Sequence, residues 1–558
     1  MKSNFLIALL LVVVVGLGAK LYFVQTDYDK LLSTLIDVTS DQSALYINDT
    51  FVGSDLTIFY EDKPFIALDS IITNIDGQIT LSNSGQRIYI DLDAIAFKIE
   101  NTAASTFVNE NMSAINVPLV YKDERAYLSL DTVCRLYQYD YIYFEETNTY
   151  LIFNENTPVK KARIKKDTQQ YKMASNDYVK YKKAGTDTYG YILGENGTYH
   201  TLLNQSGNLV YVKSVLDTAT IKIEEKTYYQ PVRFDTQEKI SLTWEAVERY
   251  TDNFKVQKTD FEKGINVVSP TWFNLNVNGI LINSADINYV EKAHESGIKV
   301  WGLYKNNFDP AWTSDLLGNT VDQDYSIAQL IFYSAFYELD GINFDFENIY
   351  LKDKERLAAY ITKASHYLQE MNITISIDMT RPGGSDQWSK VYDRKAIGQA
   401  VDYICLMAYD EYWGSSPLSG PVASLPWTEE SISMSLESIP KDKLVLGIPL
   451  YMRVWEETQN TRGTYVKTGS RAISMTGFDN LMADKALEIQ WDEASEQNYA
   501  SYMQNGKRYR IWIEDAVSIQ ARLNLADTYE LPGIATWRRG YGSELSDTLI
   551  DEWLFDSE

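Results

Sequence analysis

The stretch Asp340-Gly-Ile-Asn-Phe-Asp-Phe-Glu347 alternates apolar and polar side chains, as a β-strand does when its two faces meet different surroundings. One face is apolar, and the other carries Asn343, Asp345 and Glu347. Carboxylates two residues apart on one strand face lie about 6.6 Å apart and repel each other. One of them is therefore expected to keep its proton near neutral pH. The stretch predicts a buried catalytic strand, and the alternative is an edge strand with a solvated acidic face.

The position of both carboxyls on one strand restricts the reaction. A double-displacement glycosidase places its acid and its nucleophile on opposite sides of the scissile bond, which is difficult for two groups on one strand face. A sugar that carries an acetamido group removes this need, because the acetamide oxygen can itself attack the anomeric carbon. The strand then supplies Glu347 as the acid and Asp345 as the carboxylate that orients the acetamide.

This segment resembles the D-x-x-D-x-D-x-E signature of glycoside hydrolase family 18, which uses substrate-assisted catalysis. Asp340 opens the signature, and Asn343 stands where most chitinases of the family have the middle Asp. The resemblance implies supporting roles for both residues. An Asp at position 343 could share a proton with Asp345, whereas an Asn can only form hydrogen bonds, so we expect Asn343 to orient Asp345.

The composition describes a large acidic protein. A length of 558 residues predicts three or four domains, and 45% hydrophobic with 13% aromatic residues excludes wholesale disorder. The net charge of −26 argues against a nucleic-acid partner. The three histidines show no ligand spacing, and Cys134 and Cys405 lie far apart. We therefore predict no metal site, no cofactor and no disulfide framework.

The N-terminal segment from Phe5 to Val24 is apolar except for Lys20. It is long enough for a membrane-spanning helix, and Lys20 can reach the interface. We expect residues 1–26 to form a membrane anchor with the remaining chain outside the cell. The alternative is a cleaved signal peptide, in which Gly16 and Gly18 are the small residues before the cut.

Residues 40–156 contain an internal repeat, because Lys63–Ile72 aligns with Arg125–Cys134. Each copy predicts a strand, a short helix and a hairpin. The second copy is similar to the N-terminal-like module of copper amine oxidases that recurs in bacterial surface proteins. No histidine precedes His200, so we expect a spacer or a wall contact rather than oxidase chemistry.

Residues 159–232 alternate Tyr, Val, Lys and Gly in short runs, which predicts a small β-barrel. The segment is similar to the bacterial Src-homology-3-type modules of wall enzymes. Lysines and one arginine are concentrated between Lys160 and Lys183. This local positive charge is a candidate contact for an anionic wall polymer, and the alternative is a set of solvated strand faces.

Residues 262–558 alternate apolar strands with helical patterns, which predicts a C-terminal TIM (β/α)8 barrel preceded by β-rich small domains. A small α+β insertion is expected between Arg453 and Tyr509, and the stretch Leu242–Phe261 is predicted as a helical connection. The candidate strands are Gly264–Pro270, Lys299–Tyr304, Gly341–Phe346, Thr374–Met379, Tyr403–Ala408, Leu444–Leu450 and Gly533–Trp537, with one more near Ile280–Ile282.

Catalytic groups of such barrels lie at the C-terminal ends of the strands. Met407-Ala-Tyr-Asp410 occupies one such end and resembles the M-x-Y-D motif of the family. The resemblance implies that Tyr409 donates a hydrogen bond to the acetamide oxygen and that Asp410 supports that region. It also implies a set of substrate-binding residues, with the last as the floor of the sugar site: Trp272, Trp301, Tyr304, Met407, Tyr451, Arg453 and Trp537.

Several phrases of the barrel look most like the bacterial enzymes that act on spore-cortex or wall peptidoglycan, among them Phe346-Glu-Asn348 and Gly447-Ile-Pro-Leu-Tyr451. The resemblance implies hydrolysis of a β-1,4 glycan with N-acetylglucosamine at the cleaved bond, on the outer face of the plasma membrane or in the cell wall. Peptidoglycan and chitin both remain open as the substrate, as do endo and exo attack. The alternative function is a catalytically weak, lectin-like glycan-binding protein. A purely structural surface protein fits only the first 230 residues.

Overall fold

The computed structural model describes residues 43–172, 180–186, 188–196, 199–213, 216–221, 229–234, 238–485 and 487–555. Within these ranges no helix has the length and apolar character needed to cross a membrane. The anchor predicted for residues 1–26 lies outside them. The described chain forms two units, one from residues 43–81, 93–97 and 119–221 and the other from residues 82–92, 98–118 and 229–555.

The segment before residue 155 consists of short strands and short helices. In chain order they are β1 (Ala44–Ile47), β2 (Thr50–Ser54), β3 (Thr57–Tyr60), β4 (Lys63–Ala67), α1 (Leu68–Asn74), β5 (Thr80–Leu81), β6 (Arg87–Asp91), α2 (Thr102–Asn111), β7 (Ala114–Pro118), β8 (Val120–Lys122), β9 (Arg125–Ser129), α3 (Leu130–Tyr137), β10 (Tyr139–Phe144) and β11 (Thr149–Asn154). The two copies of the repeat fold alike, as β4–α1 and β9–α3. Strands β4 and β9 pair antiparallel, so the copies meet edge to edge.

The next segment is an antiparallel sheet with the strand order β14-β13-β17-β16-β15-β12-β18. Its strands are β12 (Lys160–Ile164), β13 (Thr168–Tyr171), β14 (Lys180–Ala184), β15 (Tyr189–Asn196), β16 (Tyr199–Asn204), β17 (Leu209–Val212) and β18 (Leu216–Thr220). Six of the nine basic residues of the predicted polymer contact lie on edge strand β14 and on strand β12, near the other edge. Lys180, Lys182 and Lys183 are exposed on β14, where charge also opposes edge-to-edge pairing. The polymer contact stays a prediction.

A buried hydrophobic cluster joins the two segments of the first unit. Ala44 and Leu151 from the repeat segment pack in one buried cluster with Tyr191 and Leu203 from the seven-stranded sheet. The segments predicted as separate domains, 40–156 and 159–232, therefore share hydrophobic contacts. Their resemblances to amine-oxidase and Src-homology-3-type modules stay predictions.

The remaining chain alternates strands and helices. The strands are β19 (Ile240–Glu245), β20 (Val267–Pro270), β21 (Phe273–Leu275), β22 (Leu281–Asn283), β23 (Lys299–Lys305), β24 (Gly341–Asp345), β25 (Thr374–Thr380), β26 (Tyr403–Met407), β27 (Leu444–Pro449), β28 (Tyr451–Gln459), β29 (Tyr465–Ser474), β30 (Ile489–Asp492), β31 (Gln497–Gln504), β32 (Lys507–Trp512) and β33 (Gly533–Trp537). The helices are α4 (Asp252–Val256), α5 (Ile287–Glu295), α6 (Pro310–Gly318), α7 (Thr320–Tyr337), α8 (Lys354–Gln369), α9 (Arg394–Ala400), α10 (Leu425–Leu436), α11 (Met475–Lys485), α12 (Ala516–Thr528) and α13 (Glu544–Phe555).

Eight of these strands close into a parallel barrel, which confirms the predicted fold. The order is β19-β20-β23-β24-β25-β26-β27-β33, and β33 pairs with β19 to complete the ring. Large apolar side chains from several strands fill the lumen, among them Leu242, Trp301, Tyr403 and Val445. The catalytic groups must therefore lie above this packed layer, at the C-terminal ends of the strands.

The barrel begins earlier than the sequence predicted. Its first strand is β19, inside the stretch that was predicted as a helical connection, so the start at residue 262 was wrong. Ile240, Leu242 and Trp244 alternate with polar residues and point into the lumen, which is the period of a strand. The strand predicted near Ile280–Ile282 is also wrong as a barrel strand, because β22 forms a hairpin with β21 outside the ring.

The predicted insertion is an antiparallel sheet between β27 and α12. Its strand order is β29-β28-β32-β31-β30, and helix α11 follows β29. The insertion starts directly after β27, so the first residues of β28 lie at the C-terminal end of the barrel. Two of them, Tyr451 and Arg453, belong to the site described below.

Part of the repeat segment packs with the barrel rather than with the repeat. Strands β6 and β7 pair antiparallel and belong to the second unit together with α2. Asn116 is buried. Its side-chain amide donates to the carbonyl oxygen of Leu281 at 2.7 Å and to the hydroxyl of Tyr333 at 3.0 Å. Its side-chain oxygen accepts from the backbone N–H of Asn283 at 3.2 Å. The prediction of residues 40–156 as one domain is therefore wrong for this part.

Candidate active site

Strand β24 presents a row of polar side chains to the lumen. Its apolar residues face the outer helices, as the ring contacts of Phe344 and Phe346 with Tyr360 of α8 show. Gly341 leaves room at the bottom of the row, because a Cβ there would lie 2.5 Å from Trp301 Cδ1. The predicted division of the strand into an apolar and a polar face is thus present in the fold.

Asn343 is buried in the middle of the row, and its side chain makes four hydrogen bonds. Its amide group donates to Ser376 Oγ at 2.9 Å and to Asp378 Oδ1 at 2.8 Å. Its oxygen accepts from Trp244 Nε1 at 2.9 Å and from Ser269 Oγ at 3.2 Å. Because both donors and both acceptor positions are used, Asn343 orients Asp378 rather than Asp345, which corrects the sequence expectation.

Asp345 lies two residues above Asn343 and is almost fully buried. Its Oδ1 atom has no hydrogen-bond partner among the described residues. Burial raises the pKa of Asp345 to about 6, and the positive charge of Lys305 on β23 opposes that rise. At neutral pH the carboxylate is therefore ionised, and one of its oxygens is available to a ligand that donates a hydrogen bond.

Glu347 follows the strand and is held by its backbone. Asn306 accepts from the Glu347 backbone N–H at 3.1 Å and donates to the Glu347 carbonyl oxygen at 2.7 Å. Burial raises the pKa of the Glu347 carboxyl well above its usual range, and the charges of Asp345, Asp378 and Asp410 act in the same direction. This shift favours the protonated carboxyl, which is the state of a general acid.

Asp378 is a site residue that the sequence reasoning missed. It lies on β25, is 2% exposed, and its thiol neighbour Cys405 donates to it from β26. Burial raises the pKa of Asp378 well above its usual range, and the charge of Asp345 adds to the rise. The signal was available, because Asp378 is the one charged residue in the buried stretch Ile375–Met379.

The end of β26, which only β25 separates from β24, supplies further polar side chains. The pKa of the Tyr409 hydroxyl is raised well above its usual range by burial and by nearby carboxylates, so Tyr409 remains a donor at all physiological pH values. Asp410 is exposed and has a left-handed backbone conformation, with φ of 59°. Its Oδ1 accepts from Tyr451 Oη at 2.7 Å and from Arg453 Nη2 at 2.9 Å. Met407, the last residue of β26, is partly buried.

Two tryptophans from neighbouring strands form the base of the site. Trp537 at the end of β33 is partly exposed and packs on Trp244 of β19 with a ring separation of 5.9 Å. Trp244 also contacts Tyr409 edge to face at 6.5 Å. Trp537 therefore lies where a floor for a sugar ring is expected.

Three residues predicted to bind substrate are placed elsewhere. Trp272, Trp301 and Tyr304 have no exposed surface. Trp301 stacks on Tyr403 deep in the lumen, and Trp272 donates to Asn253 Oδ1 at 2.8 Å outside it. None of the three can stack on a sugar in this structure, so those assignments were wrong.

The predicted supporting role of Asp340 at the site is also wrong. Asp340 precedes β24 and therefore lies at the opposite end of the barrel from Glu347. Its carboxylate accepts from the Val300 backbone N–H at 2.8 Å and from Tyr229 Oη at 2.6 Å. It also lies 2.8 Å from His294 Nε2. These contacts fix the base of the strand.

An exposed aromatic pair beside the acid was not predicted. Phe308 and Trp388 are each 42% exposed, with ring centres 6.4 Å apart. Asn348, next to the acid, donates to the carbonyl oxygen of Phe308 at 2.9 Å, and Ile349 donates to that of Gln387 at 3.0 Å. The loops after β23 and β25 are thus tied to the residues that follow Glu347.

Comparison with known proteins agrees with this geometry. Residues 312–542 match the model of the glycosyl hydrolases family 18. The chain is 26% identical over 300 residues to an uncharacterized glycosylase of Bacillus subtilis, which covers 51% of this chain and 84% of the relative. It is 28% identical over 239 residues to the cortical fragment-lytic enzyme of Bacillus subtilis, covering 41% of this chain and 54% of the relative.

The chain thus spans about half the length of that cortical enzyme. Among solved structures, a chitinase from Chromobacterium violaceum shares the fold, with a TM-score of 0.50 and 20% identity over 57% of this chain and 99% of that one. Together with the eight-stranded barrel, these matches fix the class of the catalytic part. The family 18 match covers residues 312–542, and on this match the protein is a glycoside hydrolase.

Proposed function

We propose that the protein hydrolyses β-1,4 bonds in a glycan that contains N-acetylglucosamine, with the acetamido group of the substrate as the nucleophile. The carrying observation is that Glu347 lies two residues beyond Asp345, the last residue of β24, with the pKa of Glu347 raised well above its usual range and that of Asp345 raised to about 6. The carboxylate that could serve as a separate nucleophile, Asp410, has an oxygen engaged by Tyr451 and Arg453.

In this proposal Glu347 gives its proton to the oxygen of the leaving sugar while the acetamide oxygen attacks the anomeric carbon. The acetamide nitrogen becomes positively charged, and its N–H donates to the Oδ1 atom of Asp345 that has no partner in the described protein. Tyr409 donates to the acetamide oxygen and aligns it. Glu347, now ionised, then takes a proton from water, which opens the cyclic intermediate with retention.

Peptidoglycan is the substrate that we favour, and a chitin-type glycan is the second candidate. The name of the cortical fragment-lytic relative supports the first. The exposed pair Phe308 and Trp388 supports a polymer in either case, because aromatic faces next to the acid can stack on sugars beyond the cleaved bond. We also propose a cell-surface location, with residues 1–26 as the anchor.

The decisive variant is Glu347→Gln, which keeps the size of the side chain and removes the acid. Loss of a general acid costs ~10²–10⁴ in rate, so the variant should bind glycan but cleave it at that reduced rate. Glu411→Gln is the matched control, because Glu411 follows Asp410 in the chain and its carboxylate accepts from the Ser424 backbone N–H at 2.8 Å. Full activity of Glu347→Gln on peptidoglycan and on chitin oligomers would refute the assignment. Binding without cleavage by the unmodified protein would favour the lectin-like alternative.

The nucleophile is tested separately. A thiazoline analogue of N-acetylglucosamine imitates the cyclised intermediate and should inhibit strongly. A substrate with glucose at the cleaved position should not turn over. Mass spectrometry after reaction with a fluorinated glycoside should find no sugar ester, whereas an ester on Asp410 would make this a double-displacement enzyme.

A further inference from the structure

Position 343 holds an amide, yet the site does contain a second buried carboxyl close to Asp345. The register between β24 and β25 pairs Asn343 with Ser376 and Phe344 with Ile377. Continued by one residue, it brings Asp378 to the level of Asp345. Adjacent strands are about 4.8 Å apart, and paired residues of parallel strands face the same side. Asp378 therefore lies next to Asp345 in the lumen.

The contacts of Asp378 show how it is held there. Asn343 donates to its Oδ1 at 2.8 Å, and Cys405 donates from the other neighbouring strand. The Asn343 amide thus holds the Asp378 carboxyl of the adjacent strand in place through a hydrogen bond. It could not do so if it were an aspartate, because two carboxylate oxygens at this distance repel each other unless a proton lies between them.

The charges around Asp378 decide its protonation. Carboxyls face it from β24, namely Asp345 and Glu347. The hydroxyls of Tyr392 and Tyr409 and the thiol of Cys405 are its other titratable neighbours, and all three are neutral. The cation of this region, Lys305, acts on Asp345. One cation offsets only one of three buried negative charges. Since Lys305 acts on Asp345, the other two carboxyls, Asp378 and Glu347, must retain their protons.

We propose that Asp378 is a positioning residue that takes the place of a carboxyl at position 343: it keeps its proton, holds Asn343, and leaves Asp345 as the single negative charge beside the acid. This proposal rests on the proposed function only for its consequence, which is that the charge lies where the acetamide nitrogen becomes positive. Raised pKa values of Asp378 and Glu347, together with a value of about 6 for Asp345, agree with it.

The first test measures the retained proton without using activity. A carboxyl that is neutral when folded but ionised when unfolded destabilises the fold increasingly as pH rises above about 4. Asp378→Asn removes this effect. The ratio of the unfolding constants of the unmodified protein and the variant should therefore rise about tenfold per pH unit between pH 5 and 8. A ratio that does not change with pH would mean that Asp378 is ionised, and would overturn the proposal.

The second test asks whether the neutral group is what the site needs. Asp378→Leu removes the acceptor for Asn343 and should lower kcat/KM about tenfold or more, because misplacement of a group by a fraction of an ångström is costly. Asp378→Asn still accepts from Asn343 and has no charge, so it should recover most of that loss. If Asn is as damaging as Leu, an ionised or exchanging carboxyl is required and the proposal is wrong. The stability test stands even if the substrate is not a glycan.

Discussion

Replacing Asn343 by Asp introduces a carboxyl at a point with no solvent exposure, facing Asp378 at the 2.8 Å now occupied by a hydrogen bond. The new carboxyl must be protonated in the folded protein, whereas it ionises with a pKa of about 3.9 in the unfolded chain. Each pH unit above that value costs about 1.4 kcal/mol. At pH 7 the variant should therefore lose as much as about 4 kcal/mol of stability, and near pH 4 almost none.

Because the folded-state pKa of the new group is raised, the loss grows as pH rises and vanishes below the unfolded pKa. Denaturant unfolding followed by tryptophan fluorescence at pH 4, 5, 6 and 7 measures it. Asn343→Leu is the matched control. It removes the hydrogen-bond partner of Trp244, Ser269 and Ser376, and the resulting loss of stability does not depend on pH. A stability difference for Asn343→Asp that is flat across this range would refute the electrostatic argument. The acidic side of the pH–rate profile should shift in the same variant.

Two further outcomes test other parts of the molecule. Trp388→Ala should raise KM for a long glycan about fivefold, through loss of ~1 kcal/mol of stacking, and should change hydrolysis of a short aryl glycoside less. Trp388→Phe should restore the long-glycan KM, and equal effects on both substrates would exclude a stacking role. Asn116→Ala leaves two buried polar groups of β22, the Leu281 carbonyl and the Asn283 backbone N–H, without their hydrogen-bond partner. It should destabilise the barrel by about 3 kcal/mol. Asn111→Ala on α2, which loses one partly exposed bond, should cost less than ~0.5 kcal/mol, and similar losses in both would argue against the buried contact.

The catalytic strand was predictable because the apolar residues that pack it and the polar residues that form the site both alternate every second position. The lumen-facing positions of β24 had to be polar at the top of the barrel and small at the bottom, and Gly341, Asn343 and Asp345 follow that gradient. The same period could have revealed Asp378, since a buried strand tolerates an acid only when something in the fold requires it.

The aromatic assignments failed because sequence position does not give depth in the barrel. Trp301 points into the lumen as expected for its strand, but it lies at the level of Gly341, below the catalytic layer. Tyr304 points to the opposite side of the same strand. Strand β19 was missed for a different reason: the helix between β19 and β20, α4, has five residues and is too short to show the helical period that identified the other units.

The packing of Asn116 against Tyr333 has a consequence for synthesis of the chain. These residues are separated by 217 positions, so the β6–β7 strand pair leaves the ribosome long before its partner helix α7 exists. At about 5–20 residues per second the delay is roughly 10–40 s. During that time a polar side chain destined for burial remains hydrated, and the β6–β7 pair cannot complete its native contacts. This part of the repeat segment is thus made early but is among the last to reach its final environment.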